Sequence, residues 1–232
     1  MFQFKQFTIQ QDRTPMKVGT DGVLLGAWAD LEKADRLLDV GTGTGLIALM
    51  SAQRNPTVVV DALEIEPNAC RQAQENIQES EWAQRIQVIP VALQAYFPAY
   101  QYDCIVCNPP FFINSTKPPD NGRTLARHCD TLSHQELVEH AARLLKPTGC
   151  FCVILPPSEA DQMIRLANKY ELFPEHITYV LPNPDKSPKR YLIKFVFGSV
   201  STLKDELVVE LNRHQYSEEY IRLTRAFYLH FE

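Results

Sequence analysis

One candidate site for chemistry is a hydrophobic stretch that ends in an acid and runs into a glycine-rich loop. The stretch Leu37 to Gly45 reads LLDVGTGTG, in which Asp39 precedes three glycines spaced two residues apart. Glycine lets a backbone turn tightly and approach a ligand at the carboxyl edge of a sheet, where open α/β sheets bind. A dinucleotide loop needs G-x-G-x-x-G, but position 46 is leucine. Asp39 would repel a pyrophosphate and suits an ammonium group, so the loop favours S-adenosylmethionine over NAD; a structural turn is the alternative.

A second acid, Glu64, ends the next predicted strand. A carboxylate there can accept hydrogen bonds from both hydroxyls of an adenosine ribose, and the alternative is a solvated acid within an acidic stretch. By analogy with other enzymes that bind such a cofactor, the end of the third predicted strand should meet the adenine ring. Its residues are Val91, Ala92 and Leu93, so apolar packing must replace a polar contact.

The motif Asn108-Pro109-Pro110-Phe111 follows the fourth predicted strand. The prolines remove two donors and fix φ, so the chain leaves the strand along a rigid path with free carbonyls. A planar amine is a poor nucleophile because its lone pair is delocalised. Hydrogen bonds from its N–H groups to the Asn108 side-chain oxygen and the Pro109 carbonyl favour a pyramidal nitrogen whose lone pair points at an electrophilic methyl. Phe111 would stack on the base, a contact worth about 1–3 kcal/mol; a Pro-Pro turn with a buried Phe is the alternative.

Alternating β-branched runs and helical patterns predict βαβ units and a parallel sheet. Strands are predicted at 36–40, 57–64, 86–91, 102–107, 150–155, 177–181 and 191–197. Helices are predicted at 46–53, from Pro67, at 133–146 with a capping box of Ser133 and Glu136, from Ser158 as a cap, and at 217–228. The expected fold is α/β with seven mostly parallel strands, an antiparallel last strand, helices on both faces and no second domain.

Composition places the chain among soluble globular proteins, with 232 residues, 45% hydrophobic and 22% charged. No run approaches the roughly 18 apolar residues of a membrane span, and the amino end lacks a signal-peptide core, so a cytoplasmic location is expected. The net charge of −5 argues at first against a nucleic-acid partner. However, the acids concentrate between Asp61 and Glu81, whereas Lys186, Lys189 and Arg190, here called the basic lip, form a cationic stretch.

The cysteines and histidines predict no chemistry of their own. Cys104 and Cys107 form C-x-x-C but point to opposite faces of an alternating strand, and Cys150 and Cys152 lie in another strand without the paired spacing of a zinc site. We interpret them as buried small hydrophobic residues. The sequence has no H-E-x-x-H motif and no G-x-S-x-G nucleophile turn. We therefore expect neither metal catalysis nor serine hydrolysis, and no bound metal ion.

Short motifs spread over nearly the whole chain resemble those of a known protein family. They are MKVGTDGVLLGAWA, LDVGTGTGLIAL, ALEIEPNA, QENI, NPPF, ARH and LTRAFYL. In these motifs the chain resembles the class I S-adenosylmethionine-dependent methyltransferases, and within them the bacterial tRNA1(Val) (adenine-37-N6)-methyltransferase family. The resemblance implies a Rossmann-like single domain over 1–232 that methylates an adenine in tRNA, with 1–35 as a cap over the cofactor pocket and 36–232 as the catalytic core. Ala92 departs from the acid usual in that family, and Phe111 from its frequent Tyr.

The motifs and the resemblance together define the predicted site. The predicted catalytic residues are Asn108, Pro109, Pro110 and Phe111. The predicted residues for S-adenosylmethionine are Lys17, Thr20, Asp21, Asp39, Gly41, Thr42, Gly43, Gly45, Glu64, Ile65, Ala92 and Asn108. The predicted nucleic-acid contacts are Arg123, Arg127, His128, Lys186, Lys189 and Arg190. Thr20 and Asp21 are equally expected as caps of the helix that carries Val23 to Trp28.

Several alternatives to a tRNA-methylating monomer stay open at this point. A motif of the form NPP(Y/F) serves planar amines generally, so the substrate could be a glutamine amide of a protein or an adenine of DNA. The chain could also be a cofactor-sensing or RNA-binding module without turnover.

Overall fold

The computed structural model describes residues 1–14, 17–109 and 132–231. Its strands are β1 (Phe2–Gln3), β2 (Thr8–Ile9), β3 (Arg36–Val40), β4 (Val59–Leu63), β5 (Ile86–Ile89), β6 (Tyr102–Cys107), β7 (Leu145–Leu155), β8 (Leu172–Leu181), β9 (Arg190–Phe197), β10 (Leu203–Val208), β11 (Glu210–Asn212) and β12 (Gln215–Tyr216). Its helices are α1 (Thr20–Trp28), α2 (Leu46–Arg54), α3 (Pro67–Gln78), α4 (His134–Leu144), α5 (Pro157–Ala167) and α6 (Glu218–Thr224).

Within these residues, the central sheet has eight strands in the order β10-β8-β9-β7-β6-β3-β4-β5. The strands from β7 to β5 in that order pair in parallel, and β10 is parallel to β8. Strand β9 runs antiparallel to both of its neighbours, β7 and β8. The predicted mostly parallel α/β sheet is therefore confirmed.

The sheet has one strand more than the expected seven. Strand β10 is largely exposed at the edge, so no alternation of apolar and polar residues marks it in the sequence. Strand β9 is antiparallel as expected but is inserted between β7 and β8 and is not the last strand.

Two apolar cores cover the two faces of the sheet. Successive residues of β3 alternate between them, with Leu37 in the core beneath α1, α2 and α3, and Leu38 in the core beneath α4 and α5. This is the alternation of side chains along a strand. The expectation of helices on both faces is confirmed.

Three predicted helix starts have different outcomes. The capping box of α4 is present, because the Ser133 side chain accepts from the Glu136 backbone and the Glu136 side chain accepts from the Ser133 backbone. The predicted cap by Ser158 is wrong, since α5 begins at Pro157 and its N-cap, Pro156, offers no side-chain acceptor. The alternative that Thr20 or Asp21 caps α1 is also wrong, since the N-cap is Gly19 and both residues lie inside the first turn.

Two helix ends also differ from the sequence pattern. Helix α4 ends at Leu144 and β7 begins at once, so the last two residues of the predicted helix 133–146, and Gly149 after them, lie in a strand. Gly149 permits this because a Cβ there would lie 2.9 Å from the Tyr102 carbonyl oxygen of β6. The carboxyl-terminal helix spans Glu218–Thr224, shorter than the predicted 217–228.

The amino-terminal segment packs against the carboxyl-terminal residues and against α3. The Lys5 N–H donates to the Phe227 carbonyl (2.8 Å), and the rings of Phe4 and Tyr228 stack with centroids 6.0 Å apart. Further along, the Gln10 N–H donates to Asn76 Oδ1 of α3 (2.8 Å), while Asn76 Nδ2 donates to the Thr44 carbonyl in the glycine loop (2.9 Å). The segment before α1 is thus tied to the glycine loop. Among the described helices, none has the length and apolar character to cross a membrane.

Candidate active site

Three adjacent strands end together at the carboxyl edge of the sheet. Val40 of β3 is the register partner of both Cys107 of β6 and Leu63 of β4. The residues that follow these positions, Gly41, Asn108 and Glu64, therefore leave the sheet side by side. This is the edge at which open α/β sheets bind their ligands, and it brings together three of the sequence-predicted features.

The glycine loop adopts a backbone that other residues rarely adopt. Gly41, Gly43 and Gly45 have φ values of +71°, +59° and +83°. A Cβ on Gly41 or Gly43 would meet nothing within 4 Å, so both glycines face open space. A Cβ on Gly45 would touch Ala73 and Ile77 of α3 at 3.4–3.6 Å, so this glycine serves helix packing. The first two glycines leave room for a ligand, and the third lets α2 start beside α3.

Asp39 places an unpaired carboxylate oxygen beside the glycine loop. The residue is 1% exposed, and its Oδ2 accepts the Thr42 hydroxyl at 2.6 Å. The other oxygen, Oδ1, is buried without a hydrogen-bond partner. Burial raises the pKa of Asp39 to about 7, and the charge of Glu64 acts in the same direction. A buried acceptor without a donor fits a ligand that brings a cation, such as the ammonium group of S-adenosylmethionine.

Glu64 closes the glycine loop from the neighbouring strand. Its Oε2 accepts the Gly43 N–H (2.9 Å), and its Oε1 accepts the backbone N–H groups of Ile65 (2.9 Å) and Glu66 (3.0 Å). These three backbone N–H groups fix the Glu64 carboxylate in place. Ile65 is 49% exposed, and Ala92, three residues after the end of β5, is half-buried.

Asn108 lies where α1, α2 and β6 meet. A Cβ on Gly22 of α1 would lie 3.0 Å from Leu46 Cδ2 and 3.9 Å from Asn108 Nδ2. The Asn108 side chain is half-buried, and Pro109 is buried. Pro110 and Phe111 lie outside the described residues. The described part of the proline-rich motif therefore borders the same edge as the glycine loop.

The predicted cofactor residues around the start of α1 differ in their surroundings. Lys17 Nζ donates to the carbonyls of Gln11 and Thr14, the latter at 3.0 Å. Thr20 is exposed in the first turn of α1. The Asp21 carboxylate accepts from Arg190 Nε at 2.8 Å. Asp21 therefore joins α1 to β9.

The basic lip lies at the same edge of the sheet as the glycine loop. Strand β9 lies between β7 and β8 and is antiparallel to both, so β8 runs in the same direction as β7. The connection from the end of β8 to β9 therefore projects from the carboxyl edge. Lys186 and Lys189 are exposed on this connection, and Arg190 forms the ion pair with Asp21. The other predicted nucleic-acid residues, Arg123, Arg127 and His128, lie outside the described residues.

Two structural contributors could not be recognised from the sequence. Asn76 of α3 bridges the amino-terminal segment and the Thr44 carbonyl, and no local pattern identifies a single Asn in a helix as such a bridge. Cys104, Cys150 and Cys152 converge on one face of the sheet. The C-x-C spacing in β7 puts two of them on one face, but the pairing of β6 with β7 was needed to add the third.

Solved structures share this fold at low sequence identity. A protein from Agrobacterium tumefaciens described as a predicted O-methyltransferase superposes with a TM-score of 0.71 at 18% identity, covering 89% of this chain and 96% of that one. A glycopeptide N-methyltransferase solved with S-adenosylmethionine superposes with a TM-score of 0.57 at 13% identity, covering 80% of this chain and 99% of that one. The fold is that of a Rossmann-like methyltransferase.

Sequence comparisons identify the family. Residues 19–173 match the family model of the methyltransferase small domain. A Bacteroides thetaiotaomicron protein is 48% identical over 230 residues, which are 99% of this chain and 97% of that protein. A Parabacteroides distasonis protein is 50% identical over 231 residues, covering 98% and 97%. Both are named tRNA1(Val) (adenine(37)-N6)-methyltransferase, and the chain belongs to this methyltransferase family.

Proposed function

We propose that the protein transfers a methyl group from S-adenosylmethionine to N6 of adenine 37 in tRNA1(Val). The observation that carries the proposal is the meeting of Asn108, the unpaired Asp39 oxygen and the open glycine loop at one sheet edge. The names of relatives that match almost the full chain support the choice of substrate.

The proposed cofactor site follows the loop from one strand end to the next. The Asp39 carboxylate holds the ammonium group, with Thr42 fixing its other oxygen. The Glu64 carboxylate receives the ribose hydroxyls, and Ile65 with Ala92 packs against the adenine. Lys17, Thr20 and Asp21 cover the pocket as part of the amino-terminal cap, while Gly41, Gly43 and Gly45 give the loop its shape. When bound, S-adenosylmethionine supplies an electrophilic methyl group on a positively charged sulfur.

Asn108 and Pro109 prepare the target nitrogen in this proposal. The Asn108 side-chain oxygen and the Pro109 carbonyl accept the two N–H groups of the adenine amine, which withdraws its lone pair from the ring. Pro110 and Phe111 lie outside the described residues; their proposed roles are to stiffen the chain and to stack on the base. The residues act by alignment, and no dedicated general base is required.

The basic lip and the segment after Phe111 are proposed to hold the RNA backbone. Lys186 and Lys189 are exposed at the catalytic edge, where they can reach phosphates beside a flipped base. Arg123, Arg127 and His128 complete the proposed contacts. Arg190 has a second role, because it is also the ion-pair partner of Asp21.

The decisive substrate test compares tRNA1(Val) transcripts that differ at one base. The protein is incubated with isotopically labelled S-adenosylmethionine and either the normal transcript or one with guanine at position 37, and the nucleosides are analysed by mass spectrometry. Labelled N6-methyladenosine from the normal transcript alone is the expected result. Methylation of a release-factor glutamine or of duplex DNA in place of the transcript would favour that substrate. Binding of tRNA without transfer would favour an RNA-binding module without turnover.

We propose a single methyltransferase domain over 1–232, with 1–35 as the cap and 36–232 as the catalytic core. We also propose that it acts as a monomer in the cytoplasm, where tRNA is modified, and that the transfer itself uses no metal ion.

A further inference from the structure

A cluster of three cysteines lies on the face of the sheet covered by α1 and α2, away from the cofactor edge. The Sγ atoms of Cys104, Cys150 and Cys152 all lie within 4.8 Å of one another. Cys104 of β6 and Cys150 of β7 are register partners, and Cys152 follows on the same face of β7. Cys104 and Cys152 are fully buried, and Cys150 is 8% exposed.

The spacing of these sulfurs matches a metal site. A Zn–S bond is about 2.3 Å, so ligand sulfurs lie about 3.8 Å apart in a tetrahedral site and about 4.0 Å apart in a trigonal one. The observed upper limit of 4.8 Å is within a small side-chain adjustment of both. All three thiols are free, so no disulfide competes for them in this structure.

The surroundings supply charge that three thiolates require. Arg54 of α2 interacts electrostatically with Cys104 and Cys152, and its guanidinium is held by the carbonyls of Gly26 (2.9 Å) and Ala29 (2.7 Å). Three thiolates and a divalent cation leave one negative charge, which Arg54 offsets. Lys194 of β9 is the register partner of Cys152 but is paired with two carboxylates at 2.7 Å, so this group carries a net charge of −1 and Arg54 is the cation that offsets the thiolates.

The donor set indicates the class of ion. Among the described residues, no histidine or carboxylate joins the three sulfurs in the cluster. Soft thiolate ligands select ions such as Cu(I), Zn(II) and their heavier congeners, and an all-sulfur site lacking a fourth protein donor suits the ions that accept three ligands. We propose that Cys104, Cys150 and Cys152 form a binding site for one thiophilic metal ion.

This site is independent of the proposed methyl transfer. Cys104 and Cys150 lie level with each other four residues before Asn108, about 13 Å at the rise of a strand, and Cys152 lies level with Val106, about 7 Å before Asn108. The three cysteines belong to the apolar core, with Cys104 and Cys152 fully buried, so the ion would have a structural role. Cys150, at the exposed end, provides the route of entry.

The test is a titration of the reduced full-length protein with Cd(II), without oxygen, following the thiolate-to-cadmium charge-transfer absorption in the near ultraviolet. We expect saturation at one ion per chain. Cys150→Ala should weaken Cd(II) binding at least about tenfold, since even the loss of partners outside the ligand shell costs 10–100-fold. Cys70→Ala, at a buried cysteine of α3, is the matched control and should bind as the unchanged protein does.

A second measurement uses the unchanged protein alone and does not depend on whether a variant folds. Metal bound only by the folded state raises the melting temperature, so Cd(II) at saturating concentration should raise it. The proposal is overturned if no charge-transfer absorption appears. It is equally overturned if Cys150→Ala binds Cd(II) as tightly as Cys70→Ala, if Cd(II) leaves the melting temperature unchanged, or if mass spectrometry finds a Cys104–Cys150 disulfide in the isolated protein.

Discussion

The affinity of the protein for S-adenosylmethionine should depend on pH through Asp39. Burial raises the pKa of this carboxyl group to about 7 in the cofactor-free protein. The groups that face it are the Thr42 hydroxyl and the Ala48 backbone N–H, which both lower the pKa, Glu64, which raises it, and the Cys107 thiol; none of them is a cation. An ammonium group beside the unpaired Oδ1 would favour the ionised carboxylate, so binding must expel the Asp39 proton wherever it is present.

The size of the effect follows from that pKa. At pH 6 only about one tenth of Asp39 is ionised, so the affinity should be about tenfold weaker than at full ionisation. Above about pH 8 the ligand's own α-ammonium group loses its proton, since such groups have pKa values of about 7.7–8.0. The affinity should therefore be greatest near neutral pH and fall on both sides.

Calorimetric titration in two buffers of different ionisation enthalpy measures both the dissociation constant and the protons released. At pH 7 about half a proton per bound cofactor should be released by Asp39. Asp39→Asn keeps the size of the side chain and should lose the acid side of the profile. Its affinity at neutral pH should be lower by about 10- to 150-fold, the equivalent of a 1.5–3 kcal/mol charged hydrogen bond. A dissociation constant that is flat between pH 5.5 and 7.5, with no proton release, would refute the assignment of Asp39 to the ammonium group.

Three further predictions test the loop, the acid and the basic lip. Gly43→Ala and Gly198→Ala both introduce a Cβ at positive φ with nothing within 4 Å, so each should lower the free energy of unfolding by about 1–2 kcal/mol. Only Gly43→Ala should also weaken cofactor binding in the same titration. Equal effects of the two substitutions on affinity would exclude a ligand beside Gly43. In the cofactor-free protein, the raised pKa of Asp39 means that stability is lost as pH rises from about 4 towards 7. Asp39→Asn should therefore increase the free energy of unfolding at pH 8 by up to about 4 kcal/mol, seen as a higher melting temperature, and leave it unchanged at pH 4. A gain at both pH values would contradict the shift. The double variant Lys186→Ala, Lys189→Ala should bind tRNA with a smaller slope of log binding constant against log salt concentration, by about 0.7–0.9 for each phosphate no longer neutralised. Its cofactor affinity should be kept, and Lys33→Ala, at an exposed lysine before β3, is the control. An unchanged slope would remove the basic lip from the RNA interface.

The parts of the fold that sequence predicts well are those fixed by local chemistry. Strand β3 follows from an apolar run, and the positive φ values of the glycine loop follow from glycine, which adopts that backbone at no steric cost. The capping box of α4 is likewise local, since both partners lie within one turn. Asn108 was predicted at the cofactor edge because parallel strands end together.

The remaining features depend on contacts between distant parts of the chain. Asp21 was a candidate cap by residue type, but its carboxylate pairs with Arg190 across 169 residues of sequence. Strand β10 forms only because β8 offers a free edge, and its exposed residues carry no alternation. The three-cysteine cluster requires the register of β6 against β7, which the sequence does not specify.

The most direct test of the central claim is single-turnover methyl transfer by Asn108→Ala saturated with S-adenosylmethionine and mixed with tRNA1(Val), with N6-methyladenosine at position 37 measured by mass spectrometry. Removing one hydrogen-bonding group that acts on the reacting atoms typically costs about 10²–10³ in rate, so the transfer should slow at least about a hundredfold. Cofactor binding should be largely kept, because the main role proposed for Asn108 is toward the amine. Transfer at the unchanged rate would contradict the role of Asn108 in preparing the amine, and with it the proposed chemistry of this edge.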